Sequence, residues 1–270
     1  MPNGTPQFSV SGNNVGANLA FTKFLFIVPR RDDDAAGTRL RAVGAVIGRG
    51  FFNDFDADGT RETQPHETIQ FLVREGDHLE ETTMSAARYA VQICSKYRPR
   101  LQEVEAELRR RLNDAAEVLA IDGAERTPRY TSADMYEYAY RRALPRKSGR
   151  IARNAFVLPL NKTPEWWCKP TLERHAYFYP HVDFGTGCAV SGHARTAEPG
   201  IATVYRRLFH NPDGYSRPGE YDFVTYFECQ DDHVETFDRI CHNLRDITQN
   251  PEWRYVMEGP LWRGRRVLKW

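Results

Sequence analysis

Short apolar runs and longer periodic stretches follow one another along the chain and predict a protein of mixed strands and helices. In the first half, dense apolar and β-branched runs at residues 21–28, 42–48 and 68–73 are typical of buried strands, although its glycines make the second of them ambiguous. Between Met84 and Leu119 the apolar residues lie three or four positions apart in an Ala-, Glu- and Arg-rich background. That spacing predicts an amphipathic helix, broken or kinked near Pro99.

The second half shows a simpler order: strand, helix, two strands, helix, strand. The predicted elements are a strand at 154–160, a helix opening near Pro170, strands at 201–209 and 221–228, a helix at 234–247 and a last strand around 265–269. This order is that of a ferredoxin-like unit. The first half has enough strand and helix for a second such unit, with the helices of 84–119 partly an insertion, although no sequence repeat accompanies it.

We therefore predict an α+β fold of two ferredoxin-like units in one chain. The N-terminal unit is expected over residues 1–150 and the C-terminal unit over residues 151–270. A Gly- and Asn-rich arm is expected at 1–20. A polar connection at 122–153, with a short Tyr-rich helix at 134–143, is expected between the units.

Composition and charge argue against a nucleic-acid-binding, membrane-spanning or secreted protein. The chain has 270 residues, 41% of them hydrophobic, and its 37 Lys and Arg are balanced by 36 Asp and Glu, so no basic field favours nucleic acid. Its longest apolar runs, such as residues 24–28, are too short to cross a bilayer, and the N-terminal residues lack the features of a secretory signal. Five cysteines form no CxxC pair. We expect a cytoplasmic protein with reduced thiols and no membrane partner.

The usual catalytic and metal-binding motifs are absent from the sequence. No HExxH or His/Cys cluster suggests zinc, and no GxSxG, P-loop or strand-linked GxGxxG is present. Eight histidines are available, and a histidine taken at random is more often structural than a ligand. His193 and Arg206 are thirteen residues apart, and an extended chain of that length spans about 40 Å. That reach is ample to pass from one face of a porphyrin to the other.

Four ordered segments between residues 156 and 266 resemble the chlorite dismutase family, which belongs to the dimeric α+β barrel superfamily. The segments are Lys162 followed by Trp166-Trp167, His193 to Pro199, Thr203 to His210 with Arg206 inside it, and Asp222 to Glu228. Their order and internal spacing are preserved, which makes the resemblance far more specific than a lone histidine and arginine. The resemblance implies a homo-oligomeric ring, with a pentamer favoured, and haem b bound by the C-terminal unit.

The resemblance also implies roles for individual residues. His193 would be the proximal ligand of the haem iron; His181 is the alternative, since choosing His193 requires an insertion at about residues 182–192. A ligating histidine needs an acceptor for its other ring nitrogen. Where the family usually has a glutamate late in the last helix, this chain offers Gln249 or Glu252.

On the opposite face, the resemblance makes Arg206 the distal catalytic residue, a permanent positive charge beside the open iron position. Lys162 would hydrogen-bond a haem propionate. Trp166 would pack near the porphyrin, and Trp167 would lie at a subunit contact.

The branch of the family can also be narrowed. The coproheme decarboxylases have a redox-active tyrosine where this chain has Leu158, and a glutamine in place of Arg206. The resemblance therefore favours decomposition of chlorite, a small anionic oxidant, to chloride and dioxygen through a ferryl intermediate. The alternatives are a peroxidase, a haem enzyme acting on an organic substrate in specialised metabolism, and a haem-binding protein without turnover.

Overall fold

A computed structural model of the chain describes residues 18–31, 34–53, 67–76, 82–126, 142, 152–214 and 216–270. The predicted arm, apart from residues 18–20, and the predicted helix at 134–143, apart from residue 142, lie outside these ranges. The strands are β1 (Asn18–Pro29), β2 (Thr68–Arg74), β3 (Tyr89–Ser95), β4 (Ala116–Arg126), β5 (Asn154–Lys162), β6 (His181–Val182), β7 (Ala189–Val190), β8 (Val204–His210), β9 (Phe223–Cys229), β10 (Val256–Glu258) and β11 (Trp262–Val267). The α-helices are α1 (Asp34–Ile47), α2 (Thr83–Ala86), α3 (Arg98–Leu112), α4 (Pro164–Cys168), α5 (Thr171–Ala176), α6 (Gly192–Ala197) and α7 (Val234–Arg245).

Eight of the strands form a closed antiparallel barrel. The order is β5, β11, β2, β3, β1, β4, β8 and β9, and β9 pairs back onto β5. β10 extends the sheet beside the end of β5, and β6 and β7 form a separate two-stranded ribbon. Closure leaves none of the eight barrel strands as a free edge. The predicted mixture of strands and helices is thus confirmed, and it takes the form of a barrel.

Alternation along the strands separates the barrel interior from its outer face. Large apolar side chains from both halves of the sequence fill the interior, including Phe24, Phe26, Tyr226 and Trp262, each fully buried. The outer face is covered by helices. α1 and α3 pack on β1, β2 and β3, and Phe237 of α7 stacks on Phe156 of β5 at a ring-centroid distance of 3.9 Å.

Two predictions in the first half are wrong. Residues 42–48 are not a strand, because α1 runs to Ile47 and buries Leu40, Val43 and Ile47 at helical spacing.

The stretch 84–119 is the predicted amphipathic helix only over α3, which buries Leu101, Val104, Leu108 and Leu112. It contains β3, and Pro99 stands in the first turn of α3, where proline needs no amide hydrogen. The stretch supplies β3 and the start of β4 to the barrel, so it is not an insertion. Within the described residues, no helix combines the length and the apolar character needed to span a membrane.

Candidate functional site

Glu252 joins two of the predicted site residues through its carboxylate. One carboxylate oxygen, Oε2, lies 3.0 Å from Nδ1 of His193, and the other, Oε1, lies 2.5 Å from Nζ of Lys162. His193 is in α6, Lys162 ends β5, and Glu252 belongs to a short 3-10 turn at Pro251–Tyr255. Three separate parts of the second half therefore meet at one carboxylate.

The surroundings keep this carboxylate charged. Only 15% of the Glu252 side chain and 7% of the Lys162 side chain are exposed. Burial by itself raises the pKa of Glu252, but the positive charge of Lys162 and the His193 ring outweigh it and hold the pKa well below its usual range. An ionised carboxylate can only accept, so Nδ1 of His193 donates to it and Nε2 is the ring nitrogen that remains for a metal. A lone pair on Nε2 is what an iron or another metal ion requires.

A glycine turn fixes the position of the His193 ring. Gly192 has φ +69°, and its amide donates to the carbonyl of Gln249 at 3.0 Å. A Cβ at Gly192 would lie 2.3 Å from the carbonyl oxygen of Tyr179, so only glycine fits this close approach. The ring of Phe178 stacks on His193, with centroids 5.4 Å apart and 16° between the planes. The imidazole is thus held by one stacked ring and one carboxylate.

Trp166 forms the side of the site next to Lys162. The Lys162 ammonium lies 4.1 Å from the centroid of the Trp166 ring, within the range of a cation–π contact. Trp166 is buried against Tyr177 and Tyr255, each at a centroid distance of 5.7 Å. Trp167, the next residue, is 42% exposed and stacks on Phe223 of β9. The double tryptophan therefore presents one ring to the site and one to the surface.

Arg206 lies on the outer face of β8. Its neighbours Tyr205 and Phe209 belong to the core inside the barrel, so strand alternation turns Arg206 outward, opposite Phe227 of β9. The outer face here is covered by α7, whose Phe237 and Cys241 pack with Val204. α7 also contacts the α6 segment, through Ile240 and Ala197. One helix thus links the element that carries His193 to the strand that carries Arg206.

The other predicted residues take different positions. Gln249 accepts a hydrogen bond from the Ser191 hydroxyl at 3.0 Å instead of approaching the His193 ring. His181 lies in β6, where its Nδ1 is 2.8 Å from the Tyr179 carbonyl, which accepts its proton. Its Nε2 is buried and finds no hydrogen-bond partner among the described residues. Nε2 of His181 is therefore also the ring nitrogen that remains for a metal, but the acceptor at its Nδ1 carries no charge.

Sequence reasoning missed the pairing of Lys162 with Glu252 and the roles of Gly192 and Phe178. Lys162 and Glu252 are 90 residues apart in sequence, and a single sequence carries no trace of such a contact. In the described part of the chain, no three His, Cys, Asp or Glu side chains gather as they would around a bare metal ion.

The fold is similar to that of solved chlorite dismutases. The structure of chlorite dismutase from Candidatus Nitrospira defluvii in complex with imidazole matches with a TM-score of 0.66 at 17% identity, over 93% of this chain and 92% of that chain. A variant of that enzyme with two substitutions gives a TM-score of 0.65 at 16% identity over 94% of both chains. A chlorite dismutase-like protein gives 0.61 at 14% identity, over 92% of this chain and 95% of that chain.

The chain has the chlorite dismutase fold. No protein-family model and no curated protein sequence matches it. At 14–17% identity the likeness concerns the chlorite dismutase fold itself.

Proposed function

We propose that the chain is a haem b-dependent oxidoreductase of the chlorite dismutase family that decomposes chlorite to chloride and dioxygen. The observation that carries the proposal is the carboxylate of Glu252 between His193 and Lys162. A histidine whose Nδ1 proton is held by a carboxylate is the usual form of a metal-ligating imidazole. The donor set at His193 therefore fits a haem iron.

Each residue of this set has a distinct task. His193 would bind the iron through Nε2, and Glu252 would fix the tautomer and raise the basicity of the ring. Lys162 would act through Glu252 by keeping it ionised, in addition to any contact with a propionate. Trp166 would pack beside the porphyrin. Bound haem would supply the redox chemistry.

Arg206 is the residue we assign to the substrate. Its guanidinium is charged at every accessible pH and offers several N–H donors in one plane. A small oxyanion such as chlorite would be held by these donors, and the anion that leaves it would be kept near the site. Leu158, buried on the same outer face of the barrel, has no phenol, which disfavours a tyrosine-based decarboxylation.

The order of elements in the two halves of the chain supports a duplicated organisation. The element order β1, α1, β2, β3, α3, β4 is matched by β5, the α4–α6 region, β8, β9, α7 and β11. We infer two ferredoxin-like units, residues 1–150 and 151–270, with haem held by the second. We further infer a cytoplasmic homo-oligomer, with a pentamer favoured, that binds a small anionic oxidant and neither nucleic acid nor membrane.

Haem binding is tested by the Soret absorbance of the purified protein after haem is added. We expect a Soret band that His193→Ala weakens or abolishes and that His181→Ala retains. Loss of the band in His181→Ala with retention in His193→Ala would transfer the ligand to His181. Absence of the band in the unaltered chain would overturn the haem proposal as a whole.

Oxygen release on addition of chlorite tests the reaction. We expect rapid release, and a loss of about 10²–10³-fold in Arg206→Ala, as for the removal of a donor that stabilises an oxyanion. Arg206→Lys keeps the charge but not the planar set of N–H donors, so its rate of oxygen release should lie between those of the unaltered chain and Arg206→Ala. Haem without oxygen release contradicts chlorite decomposition; in that case, peroxide-dependent oxidation of a dye favours a peroxidase, and its absence favours a haem-binding protein.

A further inference from the structure

A small cavity opens inside the barrel, on the other face of β8 from Arg206. Side chains of β1, β3, β4 and β8 line it, among them Gln92, Cys94, Glu125, Tyr205 and Arg207. It has room for a molecule about the size of water. The haem proposal makes no use of this cavity or of its thiol.

One polar atom in the cavity wall lacks a partner. Gln92 is 2% exposed, and its Oε1 is buried without a hydrogen-bond donor among the described residues. A buried acceptor that receives no hydrogen bond costs about 1–3 kcal/mol of stability. The geometry therefore calls for a small molecule or group that brings an O–H or N–H donor to this atom.

The amide of Gln92 also contacts a thiol. Its Nε2 donates to Sγ of Cys94 at 3.5 Å, and Cys94 donates to the hydroxyl of Thr22 at 3.3 Å. An N–H donor directed at sulfur stabilises the negative charge that develops when the thiol loses its proton. Because the nitrogen and oxygen of one amide are close together, an oxygen atom added to Sγ lies within reach of Oε1 of Gln92.

We propose that Cys94 is a site of oxidation by hydrogen peroxide, reached through the barrel cavity, and that Gln92 stabilises the sulfenic acid formed. The sulfur attacks one peroxide oxygen, an S–O bond forms and the O–O bond breaks. The thiol proton joins the departing hydroxide as water, sulfur is oxidised by two electrons and the peroxide is reduced. The new S–O–H group donates to the free Oε1 of Gln92, while the Gln92 amide still donates to sulfur.

The chain contains matched control thiols. Cys229 and Cys241 are as buried as Cys94, but they pack between α7 and the barrel and do not line the cavity. Burial raises the pKa of the first to about 12 and of the second to about 11. Cys168 and Cys188 are exposed. Reagents of different size should therefore distinguish the cavity thiol of Cys94 from the two other buried thiols and from the two exposed thiols.

The test treats the purified full chain with hydrogen peroxide, removes the excess, and then unfolds the protein in the presence of a thiol-alkylating reagent and a sulfenic-acid trap. We expect loss of free thiol and a trapped single-oxygen product at Cys94, with Cys229 and Cys241 unchanged. A bulky aromatic disulfide applied to the folded chain should modify Cys168 and Cys188 and leave Cys94 unmodified.

Variants then test the part of Gln92. Gln92→Met removes the amide at similar volume and should abolish the trapped sulfenic acid, whereas Gln102→Met, on the exposed face of α3, should leave it unchanged. A reduced Cys94 after peroxide treatment of the unaltered chain would overturn the proposal. Equal loss at Cys94, Cys229 and Cys241 would also overturn it, because it would show that unfolding, and not the cavity, admits the oxidant.

Discussion

Glu252 is the residue on which the candidate site depends, because its removal leaves a buried charge unpaired. Glu252→Gln keeps the shape of the side chain but leaves Lys162, with 7% of its side chain exposed, without a counter-charge. Breaking a buried pair in this way costs about 3–5 kcal/mol. We expect a loss of that order in the free energy of unfolding by chemical denaturation.

A surface carboxylate provides the control for Glu252. Asp114 pairs with Arg39, and their side chains are 81% and 48% exposed, so Asp114→Asn should cost about 1 kcal/mol or less. Equal losses in the two variants would contradict the view that Glu252 is held by a buried charge pair. With haem bound, Glu252→Gln should also raise the reduction potential of the iron, since the proximal ring becomes less basic.

His210 predicts how stability depends on pH. Burial, and then the positive charge of Arg126, lower the pKa of His210 to about 4. The unfolded chain, with an ordinary value of about 6.5, therefore binds a proton that the folded chain does not bind at intermediate pH. Stability from this residue is present above the unfolded pKa and is lost as pH falls toward 4.

Between pH 7 and pH 5 the stability contributed by His210 falls by about 2 kcal/mol. We expect the free energy of unfolding of the unaltered chain to fall by about that amount. His210→Gln should remove this part of the fall, and His242→Gln, on the exposed side of α7, should not. The same pH dependence in the unaltered chain and in His210→Gln would contradict a His210 that stays neutral in the folded chain.

At the level of elements, the glycine that begins α6 is held against the backbone of Tyr179. Gly192 and Gly187 have nearly equal φ values, +69° and +70°, but a Cβ would collide with the Tyr179 carbonyl only at Gly192. Gly187→Ala should cost about 1 kcal/mol for the left-handed backbone alone. Gly192→Ala should cost about 1–3 kcal/mol more, because of the collision. Thermal unfolding of both variants measures this difference. An equal loss of stability in Gly187→Ala and Gly192→Ala would contradict the predicted collision at Gly192.

The elements also show where local sequence pattern is sufficient and where it is not. The second half was predicted well because its strands have clear alternation and α7 has one apolar stripe. The sequence does not reveal α1, because its C-terminal residues 42–47 are small or β-branched and taken alone are typical of a strand. β3 was missed because Ala-, Arg- and Glu-rich flanks concealed a seven-residue strand. Pairing within the barrel, and not propensity, decides its conformation.

At the level of the whole molecule, barrel closure depends on contacts that no local pattern contains. β11 pairs with β2, although most of the sequence separates the two strands. Nε1 of Trp262 donates to the Ala87 carbonyl at 2.9 Å. The rings of Phe24 and Tyr226, one from each half, are 5.8 Å apart inside the barrel. The resemblance could locate candidate site residues in order along the chain, but the Lys162–Glu252 pair required the folded backbone.

This mutual burial predicts the behaviour of the two halves when they are separated. A fragment of residues 151–270 exposes Trp262 and Tyr226, both fully buried in the chain, and leaves β8 and β11 as open edges. Open edges and an apolar sheet face favour association. We expect the fragment to self-associate or to aggregate, and to recover a barrel only by pairing with residues 18–126 or with a second copy of itself. Light scattering of the fragment, alone and mixed with the N-terminal half, measures this; a folded monomer would show that each half forms a core of its own.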